Sequence, residues 1–88
     1  MNKFAILFTG NNCAGCKPMK EKISKLKSKF SEIEFTSYNV DDEDVMEKLM
    51  LYNVRSIPCL ILKRNTSVVD VIIGDIPEDK LINILEEL

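Results

Sequence analysis

The sequence predicts an α/β fold: a four-stranded mixed sheet in β-α-β-α-β-β-α order, covered by helices on both faces. Three observations predict it. Short apolar runs alternate with segments of helical period along most of the chain. The last two apolar runs are separated only by a turn, which reads as a hairpin. A Cys-x-x-Cys, Cys13-Ala14-Gly15-Cys16, sits at the first strand-to-helix junction. At 88 residues the chain reads as a single domain, 1–88, near the size at which one core suffices without staples.

Each element has its own signal. Phe4-Ala5-Ile6-Leu7-Phe8 reads as a short buried strand, stopped by the turn residues Gly10-Asn11-Asn12. From about Ala14 to Phe30 the apolar residues Met19, Ile23, Leu26 and Phe30 recur at helical spacing, with lysines and serines between them. Pro18 belongs in the first turn, where a missing N–H costs least. Ile33 to Val40 is a second strand with Ile33, Phe35 and Ser37 on one face. It runs into Asp41-Asp42-Glu43-Asp44, acids suited to a helix N-terminus.

Val45, Leu49 and Tyr52 mark the inner face of the second helix, and Met46 and Met50 read as core filler. Asn53 suits its C-terminus. Arg55-Ser56-Ile57-Pro58 then leads into the apolar run Cys59-Leu60-Ile61-Leu62, whose head tolerates a proline. Lys63 to Ser67 reads as the hairpin turn and Val68 to Ile73 as the fourth strand, stopped by Gly74. Pro77 opens a last helix with Leu81, Ile84, Leu85 and Leu88 as its apolar stripe. The first three strands are expected to be parallel, joined by helical crossovers, with the last antiparallel.

Composition narrows the function. A chain 45% hydrophobic and 30% charged reads as soluble and globular, and a net charge of −2 argues against a nucleic-acid binder. Three cysteines are too few, and odd in number, for a secreted disulfide scaffold. The apolar run after Met1-Asn2-Lys3 is too short for a signal peptide, and no stretch is long enough to span a membrane. The expectation is a cytoplasmic monomer with reduced thiols. Charge is unevenly placed: residues 1–30 hold seven lysines against Glu21 alone, and residues 31–54 hold seven acids against Lys48. This reads as one basic and one acidic solvated face. The alternative reading of the basic one is a positive field near Cys13 that favours its thiolate and attracts anionic partners such as glutathione.

The spacing of Cys13 and Cys16 lets their sulfurs close a small disulfide ring. At the start of a helix, Cys13 faces unsatisfied backbone N–H groups whose partial positive charge favours the thiolate. The same spacing serves metal ligation, but the strand-to-helix context favours redox chemistry. With no histidine in the chain, a His-paired cysteine hydrolase is excluded.

Three segments together resemble the thioredoxin/glutaredoxin family: strand–Cys13-Ala14-Gly15-Cys16-Lys17–helix; Tyr38-Asn39-Val40-Asp41 with Tyr52-Asn53-Val54-Arg55-Ser56-Ile57-Pro58; and a hairpin, Gly74 and closing helix. The resemblance covers nearly the whole chain and implies a thioredoxin-like fold. It implies a thiol–disulfide oxidoreductase working in electron transport and cell redox homeostasis, with no bound cofactor beyond a redox-active Cys13–Cys16 disulfide and no metal.

In that reading Cys13 attacks and Cys16 resolves. Ile57 and Pro58, joined by a cis bond, form the substrate loop, with Lys17 and Gly74 as auxiliary residues. Protein disulfides are the implied substrates. A thioredoxin-reductase-type flavoprotein supplies electrons, or glutathione in the glutaredoxin-like alternative. The sequence departs from thioredoxins at Asn12, where they usually carry Trp. It departs again near Leu7, where they bury an acid; water is expected to carry the proton instead. A third reading, a soft-metal carrier of β-α-β-β-α-β order, shares the Cys-x-x-Cys. Cys59 reads as a small buried hydrophobe, with a third redox thiol next to the site, able to pair with Cys16 or with glutathione, as the alternative.

Overall fold

The structure, a computed structural model, describes residues 2–88. Strand β1 (Lys3–Thr9) is followed by helix α1 (Cys16–Leu26) and a 3-10 turn (Lys27–Lys29). Then come β2 (Ile33–Asn39), a 3-10 turn (Glu43–Val45) leading into α2 (Met46–Leu51), β3 (Cys59–Arg64), β4 (Ser67–Ile73) and α3 (Glu78–Glu87). The element order is the expected one. The strands form one sheet in the spatial order β2-β1-β3-β4.

The alternating faces of the inner strands build two cores. Ala5 and Leu7 of β1, with Leu60 and Leu62 of β3, pack beneath α1 and α3. Met19, Ile23, Leu26 and Phe30 are all buried there, as their spacing predicts, together with Leu81, Leu85 and Leu88. Ile6, Phe8, Cys59 and Ile61 point the other way, towards Val45, Leu49 and Tyr52. On this face the Phe8 ring stacks on Tyr38 at 5.6 Å between centroids. In β2, Ile33 and Phe35 join the first core, while Ser37 is exposed.

Two expectations are corrected. The first concerns strand direction: β1 and β2 are parallel, but β3 runs antiparallel to β1, with Cys59 opposite Phe8. A parallel crossover must carry the chain back along the whole sheet. Helix α2, Met46–Leu51, advances only about 1.5 Å per residue, whereas β2 rises about 3.3 Å per residue over a comparable count. The chain then returns through residues 52–58, and β3 starts at the end where β1 finishes. The second concerns Met46 and Met50, which are 62% and 76% exposed rather than buried. A helix this short buries one stripe, and Val45, Leu49 and Tyr52 fill it.

Three special backbone positions close the elements. Asn53 ends α2 at φ 54°, Asn65 makes the hairpin turn at φ 58°, and Gly74 follows β4 at φ 91°. Asparagine and glycine are the residues that adopt this left-handed region at least cost.

Candidate active site

Antiparallel β3 has a direct consequence for the site. It brings the segment before Cys59 to the edge of the sheet where β1 delivers its own C-terminal end. Cys13 and Cys16 therefore lie beside Ile57 and Pro58, which are more than forty residues away in sequence.

Cys13 and Cys16 are joined by a disulfide, with their Cα atoms 5.3 Å apart. Cys16 is the first residue of α1 and is 2% exposed, whereas Cys13 precedes the helix and is half-buried. The Cys16 N–H donates to the Cys13 carbonyl at 3.3 Å, and the Met19 N–H to Gly15 O at 3.4 Å. Pro18 has no N–H to leave unpaired in the first turn. No side chain caps this helix. Its partial positive end therefore points towards Cys13 without a competing anion from its own N-cap.

The Ile57–Pro58 peptide bond is cis. The Pro58 ring lies over the third residue of the motif: a Cβ built on Gly15 would meet Pro58 Cδ at 3.5 Å and Asp75 Cβ at 3.8 Å. Gly74 belongs to the same edge, because its N–H donates to the Pro58 carbonyl at 2.8 Å. Ile57 contributes neither its N–H nor its C=O to the hydrogen bonds among the described residues. Ile57 also lines a groove of about 260 Å³ with Val40, Leu49, Val54, Arg55 and Ser56.

Lys17 is exposed on α1, one residue beyond Cys16. Its neighbours in the basic helix are partly consumed by structure. Lys22 Nζ bonds Asp75 Oδ1 at 2.7 Å and the Ile76 carbonyl at 2.8 Å, and Lys25 bonds Glu78 at 3.1 Å. Cys59 is 2% exposed, free and packed on the α2 face of the sheet, and burial pushes its thiol up from the ordinary 9.0. Its core is the one opposite α1, so the alternative that pairs it with Cys16 is not supported by its placement.

Sequence reasoning missed a set of polar residues beside the motif. Asn11, Asn39 and Asp41 hydrogen-bond to one another across two loops. Gly10 gives these loops room, since a Cβ there would fall 2.6 Å from Ile57 Cδ1. The signals available were the turn composition of Gly10-Asn11-Asn12 and the family-like segment Tyr38-Asn39-Val40-Asp41, neither of which says that the two are joined.

A Cys-x-x-Cys disulfide at a helix N-terminus beneath a cis-proline loop, on a sheet of this order, defines a thioredoxin-like fold. The thioredoxin family model matches residues 1–87, and the chain belongs to that family. It is 28% identical over 74 residues to thioredoxin H8 of Arabidopsis thaliana, covering 83% of this chain and 49% of that one. The chain thus spans about half the length of that curated relative.

Among solved structures it resembles the Drosophila melanogaster germline-specific thioredoxin Deadhead, with a TM-score of 0.86 at 26% identity over 99% of this chain and 81% of that one. Thioredoxin O2 of Arabidopsis thaliana in its oxidised state gives 0.88 at 20% identity, over 99% and 75% of the two chains; at that identity the likeness speaks to fold alone. The observed strand order, with its closing helix, is not that of the soft-metal carrier reading, which is set aside.

Proposed function

We propose that the chain is a thiol–disulfide oxidoreductase that reduces protein disulfides, acting as a single-domain monomer in the cytoplasm. The observation that carries this reading is the asymmetry of the Cys13–Cys16 pair: Cys13 is half-buried just ahead of helix α1, and Cys16 is buried as its first residue.

In the reduced protein the Cys13 thiolate attacks one sulfur of a substrate disulfide. A Cys13–substrate disulfide forms, and the other substrate sulfur leaves with the electron pair and takes up a proton. Cys16, deprotonated, then attacks Cys13 Sγ. The Cys13–Cys16 disulfide closes and the second substrate thiol departs. Two electrons have passed to the substrate, and an external donor must return them. Leu7, buried where an acid would otherwise stand, cannot accept the Cys16 proton, so water takes that part. Ile57 offers its free backbone groups to the substrate strand, and Pro58, having no N–H, does not compete for the Cys13 thiolate. Gly74 holds Pro58 in place through its N–H. Lys17 adds a positive charge beside the motif.

A thioredoxin-reductase-type flavoprotein is the donor favoured by Arg55-Ser56-Ile57-Pro58 and the single Gly74. The basic first helix is the feature that speaks for glutathione, but Lys22 and Lys25 are engaged by Asp75 and Glu78. A coupled assay on a protein disulfide tests both arms. Turnover with a thioredoxin reductase supports the reading; turnover only with glutathione and its reductase moves the protein to the glutaredoxin side. No turnover with either overturns the assignment.

A further inference from the structure

The residues that deliver Cys13 to its position, Gly10-Asn11-Asn12, lie beyond the sheet, because the β1–β2 register ends at Thr9 opposite Asn39. They are held by side chains instead. The Asn11 N–H donates to Asp41 Oδ2 at 2.7 Å, and Asn11 Oδ1 accepts from Asn39 Nδ2 at 2.8 Å. Asn39 Oδ1 in turn accepts the Asp41 N–H at 2.8 Å. Both ends of the Asn39 amide are used, which fixes its orientation. Just before this loop, the Val40 N–H donates to Thr9 O at 2.7 Å. Gly10 lies close to Ile57, Val40 and Asp41 at once, since a Cβ built on it would meet Ile57 Cδ1 at 2.6 Å, Val40 Cγ2 at 3.2 Å and Asp41 Oδ2 at 3.4 Å.

We propose that Asp41, supported by Asn39, is a positioning residue for Cys13, acting through Asn11. The inference rests on the reading of Cys13 and Cys16 as attacking and resolving thiols, and deepens it. Cys16 is fixed by helix α1 and by burial. Cys13 precedes the helix: its carbonyl accepts the Cys16 N–H, and its approach from the N-terminal side is set by the loop. Ring closure requires the Cys16 sulfur to approach Cys13 Sγ in line with the bond being broken. Small misplacements of such a pair cost rate steeply. The Asp41–Asn11 and Asn39–Asn11 bonds are exposed, so each adds little to stability. Their contribution is to fix direction.

The step can be read directly with an aromatic disulfide, 5,5′-dithiobis(2-nitrobenzoate), mixed with the reduced protein. Cys13 attacks first, forming a mixed disulfide and releasing one coloured thiolate in a phase that depends on reagent concentration. Cys16 then attacks Cys13 Sγ and releases the second thiolate in a concentration-independent phase. Asp41→Ala is expected to slow that second phase about tenfold, and Asn39→Ala to slow it in the same direction. Asp41→Asn keeps an oxygen acceptor for the Asn11 N–H and is expected to restore the rate to within about twofold.

A merely structural role would instead lower the unfolding midpoint of Asp41→Ala and leave ring closure unchanged. Wild-type closure in Asp41→Ala, or equal slowing in Asp41→Asn, overturns the proposal. The experiment contains neither reductase nor protein substrate. Failure of the functional reading would appear elsewhere, as absent protein-disulfide reduction by the unaltered chain.

Discussion

Pro58 lies over Gly15 with room between them for one methyl group and little more: a Cβ on Gly15 would stand 3.5 Å from Pro58 Cδ. The Ile57–Pro58 loop thus rests on the Cys13–Cys16 motif. Gly15→Ala should keep disulfide reduction within about twofold of the unaltered protein, since the added atom makes an ordinary contact. Gly15→Val should push the Pro58 loop away and lower kcat/KM about tenfold. Steady-state kinetics on one protein disulfide check both, and equal activity of the two variants would contradict the contact.

Gly10 makes a tighter test of the same loop. An added Cβ would sit 2.6 Å from Ile57 Cδ1 and 3.2 Å from Val40 Cγ2, so Ile57 must move. Gly10→Ala should destabilise the protein by about 1 kcal/mol, the low end of overpacking costs. It should also raise KM more than it lowers kcat. Denaturant melts and the KM-against-kcat split measure the two effects.

The two ion pairs between α1 and the segment leading into α3 should differ in weight. Lys22 is the less exposed, with side-chain exposures of 23% and 32% for its pair, and it also bonds the Ile76 carbonyl. Lys22→Met is expected to cost about 1 kcal/mol. Lys25, 64% exposed, gains little from Glu78 in water, and Lys25→Met should leave the denaturation midpoint unchanged.

Cys59 gives the alkaline behaviour. Burial holds its thiol above the ordinary 9.0 in the native state, while the unfolded chain ionises near that value. The unfolded state therefore releases a proton that the native state keeps, and native stability falls as pH rises past that point. In the oxidised protein no other thiol titrates. The stability difference between the unaltered protein and Cys59→Ala should narrow as pH is raised from below the ordinary 9.0 to above it. A constant difference across that range would contradict it.

Much of this was legible in the sequence because it is local. Met19, Ile23, Leu26 and Phe30 announce a helix face by their spacing alone, and Cys13-Ala14-Gly15-Cys16 announces redox chemistry by its place after an apolar run. The direction of β3 was not legible, because a buried run such as Cys59-Leu60-Ile61-Leu62 reads the same in either sense. Only the shortness of the preceding helix decides it. Met46 and Met50 fit an apolar stripe, but whether a stripe is covered depends on what else reaches it. The Asn11–Asn39–Asp41 set escaped because the two bonds that tie Asn11 to it span about thirty positions and carry no periodic mark.

The central claim is that Cys13 attacks and Cys16 resolves, and trapping tests it most directly. Cys16→Ser removes the thiol that closes the ring, so the intermediate should persist as a covalent Cys13–substrate disulfide. On non-reducing gels with a disulfide-bonded substrate protein, Cys16→Ser should form a mixed species that a reductant dissolves, and Cys13→Ser should form none. Equal trapping by the two variants, or trapping by Cys13→Ser alone, would contradict the account.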